Sequence, residues 1–300
     1  MSQKNGPRLG RMIPAMITPF DADREVDFER AVELGHRLIE GGSDALLIFG
    51  TTGESPTVDA ALKLRMFELV KRECGSEVPV IANVGGNCTA TSVAFAKEAE
   101  QTGVDGLMAV VPYYNKPPQE GLYQHFKALA EAVDLPIILY NIPGRCGVNM
   151  QAETTLRLAR DFGNIVAVKE ASGNLEQIAQ IIEGAPQGFS VYSGDDSLTF
   201  DIMKMGGAGV ISTTANVLPR RMKEIVELCA AGDFEAAACA HEKLLPIMKH
   251  LFTTSNPILV KQALACVGFP VGGVRLPLVD ATAEQTAALE EVLRSVGALD

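Results

Sequence analysis

The sequence predicts an α/β fold, a parallel (β/α)8 TIM barrel followed by a small C-terminal helical domain. Three observations predict it. Short apolar runs alternate with amphipathic helical patterns eight times between residues 13 and 230. The first run leads into Thr18-Pro19-Phe20-Asp21, which lacks the glycine-rich fingerprint that opens a doubly wound dinucleotide-binding sheet. From about residue 233 strand-like runs stop and three helical stretches remain. The division is therefore placed at 1–232 for the barrel and 233–300 for a three-helix unit. No Gly/Ser tract separates them, so they are expected to share a surface.

The elements run in order. Residues 13–18 form the first strand. The stretch 26–39 is a helix, with Phe28, Ala31, Leu34 and Leu38 at helical spacing. Strands come next at 45–49, 78–82 and 106–111, with helices at 59–74 and 89–101 between them and at 120–133 after them. A strand at 137–140 precedes a loop, 141–149, and a helix at 151–160. The sixth strand, 165–170, is a continuous apolar run ending in a lysine, the mark of a strand buried on both faces. After it come a helix at 175–183, a strand at 189–192 and a strand at 209–212. Ser193-Gly194-Asp195-Asp196 places acidic residues at a helix start, where the dipole favours them. A helix at 219–230 completes the barrel, and 233–250, 256–267 and 283–296 are the C-terminal helices, with Pro246 and Pro257 marking bends or starts.

Composition narrows the function classes. Across 300 residues the formal net charge is -11, with a sequence pI near 5.0 and no basic block, which disfavours nucleic acid and anionic membranes as partners. Six cysteines form no CxxC and no zinc spacing, and are expected to be small buried hydrophobes in a reducing compartment. The stretch from Met1 to Arg8 is polar, and no segment approaches the ~18 apolar residues of a membrane span, so a cytoplasmic location is expected.

In such a barrel, active sites are built from the residues just past the carboxyl end of each strand. Lys169 ends the sixth. Burial lowers a lysine's pKa towards neutrality and leaves a free amine able to attack a carbonyl. On that stretch alone, a lysine snorkelling to a salt bridge is the commoner arrangement. The other strand ends reverse the weighting. Gly50-Thr51-Thr52-Gly53-Glu54-Ser55 can turn amides towards a carboxylate. Pro112-Tyr113-Tyr114-Asn115-Lys116-Pro117 carries two of only five tyrosines. Tyr140 ends the fifth strand, and Arg145 in the loop beyond it offers a bidentate fork for a carboxylate. Gly194 and Asp195 come after the seventh strand, and Ser212, Thr213 and Thr214 after the eighth. The set contains no metal ligands, phosphate cradle or Ser-His-acid trio. His36, His125, His241 and His250 fall on predicted helices and suit surface or core roles.

These stretches, with Val168-Lys169-Glu170-Ala171 and Gly209-Val210-Ile211-Ser212, resemble the pyruvate-dependent class I aldolase superfamily. That superfamily includes N-acetylneuraminate lyase and dihydrodipicolinate synthase. Sialic acid lyases typically carry Gly-Ser-Thr-Gly-Glu where this chain has two threonines. The arginine of Ile-Pro-Gly-Arg is typical of the synthases. The resemblance implies that Lys169 forms a Schiff base with pyruvate and that Thr52, Tyr114 and Tyr140 form a proton relay. It implies that Tyr114 crosses into a neighbouring subunit's site, in a tight dimer and commonly a dimer of dimers. Thr51 and the Thr52 amide would hold the pyruvate carboxylate, Gly194 and Ile211 would line the pocket through their backbones, and Arg145 would hold the carboxylate of aspartate semialdehyde. No metal or organic cofactor is implied. Lys63 and Thr91 stand where lysine-inhibited members carry groups that bind lysine, so feedback inhibition is expected to be weak or absent. The competing readings are another pyruvate-dependent aldolase, which Arg145 and Thr52 oppose, and a non-catalytic regulator on a retained barrel, which would have shed one of these side chains.

Overall fold

The computed structural model describes residues 9–300. The polar stretch before residue 9, which bears on the expected absence of a signal core, lies outside the described residues. The strands are β1 (Met12–Pro14), β2 (Leu46–Ile48), β3 (Val80–Asn83), β4 (Gly106–Val110), β5 (Ile137–Asn141), β6 (Ile165–Glu170), β7 (Ser190–Ser193) and β8 (Gly209–Ser212). All pair in parallel in the order β1-β8-β7-β6-β5-β4-β3-β2. The Ala15–Leu47 bridge and the Met16 amide on the Leu47 carbonyl (2.9 Å) bring the two ends together. The barrel helices are α1 (Phe28–Glu40), α2 (Ala60–Cys74), α3 (Thr89–Gln101), α4 (Gln119–Ala130), a one-turn α5 (Pro143–Cys146), α6 (Ala152–Asp161), α7 (Leu175–Gly184), α8 (Thr199–Lys204) and α9 (Pro219–Ala231). The expected barrel is thus borne out, with strand ends moved by at most four residues and the sixth and eighth strands unmoved. Val78, placed in a strand by its sequence, returns its amide to the Cys74 carbonyl as the tail of α2.

Three of the barrel helices start on a side-chain cap. Asp27 caps α1 through Arg30, Asp59 caps α2 through Leu62, and Asn174 caps α7 through Gln177. Asp195 and Asp196 open a short 3-10 turn before α8 rather than the helix itself.

Side chains alternate across each strand, so one set points into the barrel. Ile13, Ala15, Leu47, Ile81, Met108, Ile138, Tyr140, Ala167, Tyr192 and Ile211 make that inner cluster. Its lower end is closed by the Tyr192 hydroxyl, which donates to the Gly10 carbonyl (2.7 Å). The other set packs against the helices. Because Ala167 points inward, so does Lys169, two residues nearer the mouth.

The remaining helices are α10 (Phe234–His250), α11 (Ile258–Cys266) and α12 (Ala283–Ser295). Helix α10 packs on α9, α11 packs on α12, and Pro246 is accommodated inside α10. Leu289 and Leu293 of α12 belong to the same apolar cluster as the barrel's outer layer. No helix among the described residues is long and apolar enough to cross a membrane. Cys74, Cys146 and Cys229 are buried, but Cys88 and Cys239 are exposed, which corrects the expectation that all six fill the core. His125 does suit a core role: burial pushes its pKa down to about 4, and its Nδ1 meets Thr89 Oγ1 at 2.9 Å.

Candidate active site

Lys169 is 5 % exposed and sits in register between Tyr140 and Tyr192. Its Nζ lies 4.4 Å from the centroid of the Tyr140 ring. No carboxylate among the described residues forms a salt bridge with it. Burial pushes its pKa down to about 8, the buried Asp196 carboxylate opposes that, and the Arg145 guanidinium adds to it. The other deeply buried lysine among the described residues differs in its partners. Lys261 Nζ has the Glu54 carboxylate at 2.6 Å, the Gly273 carbonyl at 2.8 Å and the Phe20 ring at 3.9 Å. Burial pushes both lysines down to about 8; the difference is that the ammonium of Lys261 has a carboxylate partner in place and that of Lys169 has none.

Tyr140 is 3 % exposed, and burial raises its phenol to about 12. Its hydroxyl therefore stays protonated at neutral pH. The Thr51 side chain is near enough to oppose that rise. The resemblance points to Thr52 as the relay partner, but successive side chains of the turn leave it in different directions. Thr52 is buried, and its Oγ1 accepts from Asn256 Nδ2 (2.9 Å) and lies 3.3 Å from Thr213 Oγ1. The turn itself is folded by the Gly53 amide on the Gly50 carbonyl (3.1 Å) and the Glu54 amide on the Thr51 carbonyl (3.1 Å). The amides of Thr51 and Thr52 meet no protein acceptor among the described residues, which leaves two donors side by side for an anion. Phe49 and Glu54 take left-handed φ values of 54° each, a strained turn that the Glu54–Lys261 ion pair helps to hold.

A cavity of about 660 Å³ opens beside these groups. Its wall includes Thr51, Tyr140 and Arg145 and also Lys63, Thr91 and Glu98. Lys169 lies beneath Tyr140 rather than on that wall. Arg145 is exposed on α5, a turn that the sequence places inside a loop, and its Nη2 donates to the Asn256 carbonyl (3.3 Å). Beneath that loop, Glu170 accepts from Asn141 Nδ2 (2.6 Å), Ser172 Oγ (2.8 Å) and Gln177 Nε2 (3.0 Å), while the Met150 amide donates to Asn141 Oδ1 (3.0 Å). Both ends of the arginine loop are thus clipped to β5 and β6.

Gly194 donates its amide to the Glu170 carbonyl (2.7 Å), and a Cβ there would lie 2.7 Å from Ala171 Cβ and 3.1 Å from Lys169 Cε. Only glycine lets the chain pass this close to the lysine stem. Ile211 is buried in the inner cluster with Tyr140 and Tyr192. Tyr114 is 87 % exposed with φ 72° and is not on the cavity wall, whereas Tyr113 is. Asp196, read in the sequence only as an acidic helix start, is buried and accepts from the Thr213 and Thr214 amides (3.1 and 2.7 Å) and from Thr214 Oγ1 (2.7 Å). Asn256 and the Glu54–Lys261 pair also escape sequence reading, because their partners lie some 200 residues away. Among the described residues no cluster of metal-ligating side chains occurs.

Residues 8–296 match the Dihydrodipicolinate synthetase family. The chain is 54% identical over 293 residues to the 4-hydroxy-tetrahydrodipicolinate synthase of Symbiobacterium thermophilum, covering 98% of this chain and 100% of that one. Its fold is similar to a dihydrodipicolinate synthase from Cyanidioschyzon merolae with lysine bound, at a TM-score of 0.95 and 43% identity, over 97% of this chain and 99% of that one. It is also similar to the chloride-inhibited enzyme of Acinetobacter baumannii complexed with pyruvate, at a TM-score of 0.94 and 38% identity, over 97% and 100% of the two chains. With this identity spanning both the barrel and the C-terminal helices, the chain belongs to the dihydrodipicolinate synthetase family.

Proposed function

We propose that Lys169 is the amine on which this enzyme condenses pyruvate with L-aspartate 4-semialdehyde. The activity is that of a 4-hydroxy-tetrahydrodipicolinate synthase, a lyase of diaminopimelate and lysine biosynthesis. One observation carries the residue assignment: a buried lysine with no carboxylate partner, packed against a tyrosine that retains its proton.

The steps derive from these groups. Neutral Lys169 Nζ attacks the pyruvate ketone. The carbinolamine hydroxyl leaves as water after taking a proton through Tyr140. The resulting protonated imine is the electron sink, so a methyl proton is lost and an enamine forms. The enamine carbon attacks the aldehyde, whose carboxylate Arg145 holds. The substrate's own amine then attacks the imine carbon and expels Lys169, closing the ring. Thr51 and the Thr51 and Thr52 amides hold the pyruvate carboxylate, with Gly194 and Ile211 beside it.

Tyr114 completes the relay from a neighbouring protomer. Its exposure and left-handed backbone in a proline-stiffened loop support that placement, and the assembly proposed is a dimer of dimers in the cytoplasm. The reading is tested by coupling product formation to an NADPH-dependent reductase of the cyclic product. Pyruvate-dependent NADPH oxidation is expected; a flat trace with active reductase would reject the activity.

The same cavity bears on regulation. Lys63 lines it, partly desolvated, with Nζ 5.7 Å from the Phe95 ring centroid. Thr91 supplies no carboxylate there, and Glu98 alone offers one. A lysine ligand would bring a second ammonium towards Lys63, which costs affinity. Titration with L-lysine is expected to leave activity nearly unchanged at 1 mM, roughly the concentration where a ~4 kcal/mol site half-fills. Half-inhibition well below that concentration would overturn the expectation.

A further inference from the structure

The segment leading into α11 enters the active site from outside the barrel. Asn256 is 6 % exposed. Its Nδ2 donates to Thr52 Oγ1 at 2.9 Å, its backbone carbonyl accepts from Arg145 Nη2 at 3.3 Å, and its Oδ1 has no partner among the described residues. One turn further on, Lys261 pairs with Glu54 at 2.6 Å, so the Thr52 turn and the Asn256 segment are tied twice. The Arg275 amide, beyond α11, also holds the turn by donating to Glu54 Oε2 at 2.9 Å.

An amide nitrogen can only donate. Thr52 Oγ1 is therefore fixed as the acceptor of that bond and keeps its own proton to give. Its one other neighbour among the described residues, Thr213 Oγ1, is 3.3 Å away, a long contact for two hydroxyls. A carboxylate oxygen is the stronger acceptor and would draw that proton. The amides of Thr51 and Thr52 meet no protein acceptor in the same turn.

We propose that Asn256 is a positioning residue for substrate recognition: it points the Thr52 hydroxyl at the pyruvate carboxylate while its carbonyl steadies Arg145. The Thr52 hydroxyl, which adds to the pyruvate-binding turn, and Arg145 are then registered to one another by a residue of the C-terminal unit. This inference rests on the binding of pyruvate proposed above.

The test uses the full chain and measures half-saturation by pyruvate in two ways: steady-state turnover, and borohydride trapping on Lys169 without the aldehyde. Asn256→Asp keeps the size but can only accept, so it takes the Thr52 proton and faces pyruvate with a like charge. The half-saturating pyruvate concentration is expected to rise at least ~10-fold in both measurements, the loss of one hydrogen bond to a charged group. The KM for aspartate semialdehyde should stay within ~3-fold, because the backbone carbonyl remains. As pH falls and the introduced carboxylate takes up a proton, the variant-to-parent ratio should return towards one. Asn256→Ala, which leaves a hydroxyl free to rotate, should raise the pyruvate value by a smaller ~3- to 10-fold and carries the test if the aspartate variant does not fold. Unchanged pyruvate half-saturation in the folded variants overturns the proposal. Failure to trap pyruvate in the parent enzyme would instead overturn the Schiff-base assignment.

Discussion

Replacing Lys169 by methionine is expected to abolish turnover and, at neutral pH, to raise the melting temperature. The loss should be at least ~10⁴-fold, because no other group can form the covalent imine. Stability should change in the opposite direction. The lysine's pKa falls from 10.5 to about 8 in the folded chain, so the folded state binds that proton more weakly than the unfolded one. The penalty is fully present below about 8, fades as pH rises towards 10.5, and amounts to roughly 3 kcal/mol. Methionine keeps the length of the stem and removes the charge, so thermal melts at pH 7 should show a more stable variant. The same pKa sets a pH profile. Near pH 7 about a tenth of Lys169 is free amine, against about 0.03% for an unperturbed lysine. The parent's kcat/KM for pyruvate should climb about tenfold per pH unit below pH 8 and level off above it. A folded methionine variant with residual turnover above a thousandth of the parent's would contradict the nucleophile assignment.

Tyr140→Phe is expected to lower kcat by ~10²–10⁴-fold while leaving the fold intact. Phenylalanine preserves the ring against which Lys169 Nζ packs at 4.4 Å, so the lysine's surroundings persist. What disappears is the buried hydroxyl, which keeps its proton at neutral pH. The loss should fall on kcat, with the KM for pyruvate within ~3-fold, because the ketoacid is held by the threonine turn. Slow imine formation in stopped-flow trapping would locate the defect at dehydration of the carbinolamine. A variant with near-normal kcat would show that another donor, such as water, carries the proton.

The barrel was legible in the sequence because period and punctuation agreed. The apolar run ending at Lys169 reads as a doubly buried strand, and the parity that buries Ala167 turns Lys169 inward. Strand ends were less legible, since Val78 is apolar enough for a strand yet closes a helix through its amide. The residue set after the strands was legible as chemistry, but not the direction of each side chain. Thr51 and Thr52 are chemically equal in the sequence. The strained turn that sends one to Tyr140 and the other to Asn256 depends on the Glu54–Lys261 pair, whose halves are more than two hundred residues apart. Arg145 was legible as a carboxylate binder, yet its one-turn helix and the Glu170–Asn141–Gln177 clip below it are products of tertiary contacts. Asn256 carries no sequence signal at all: an Asn-Pro step before a helix reads as an ordinary boundary.

The mechanism stands or falls on covalent attachment of pyruvate to Lys169. The most direct measurement is reduction of the parent enzyme with borohydride in the presence of pyruvate alone, with digestion and mass mapping of the modified peptide. One adduct is expected, carrying a reduced pyruvyl group on Lys169, with loss of activity in proportion to labelling. Labelling at Lys261 or on surface lysines instead, with activity retained, would contradict it.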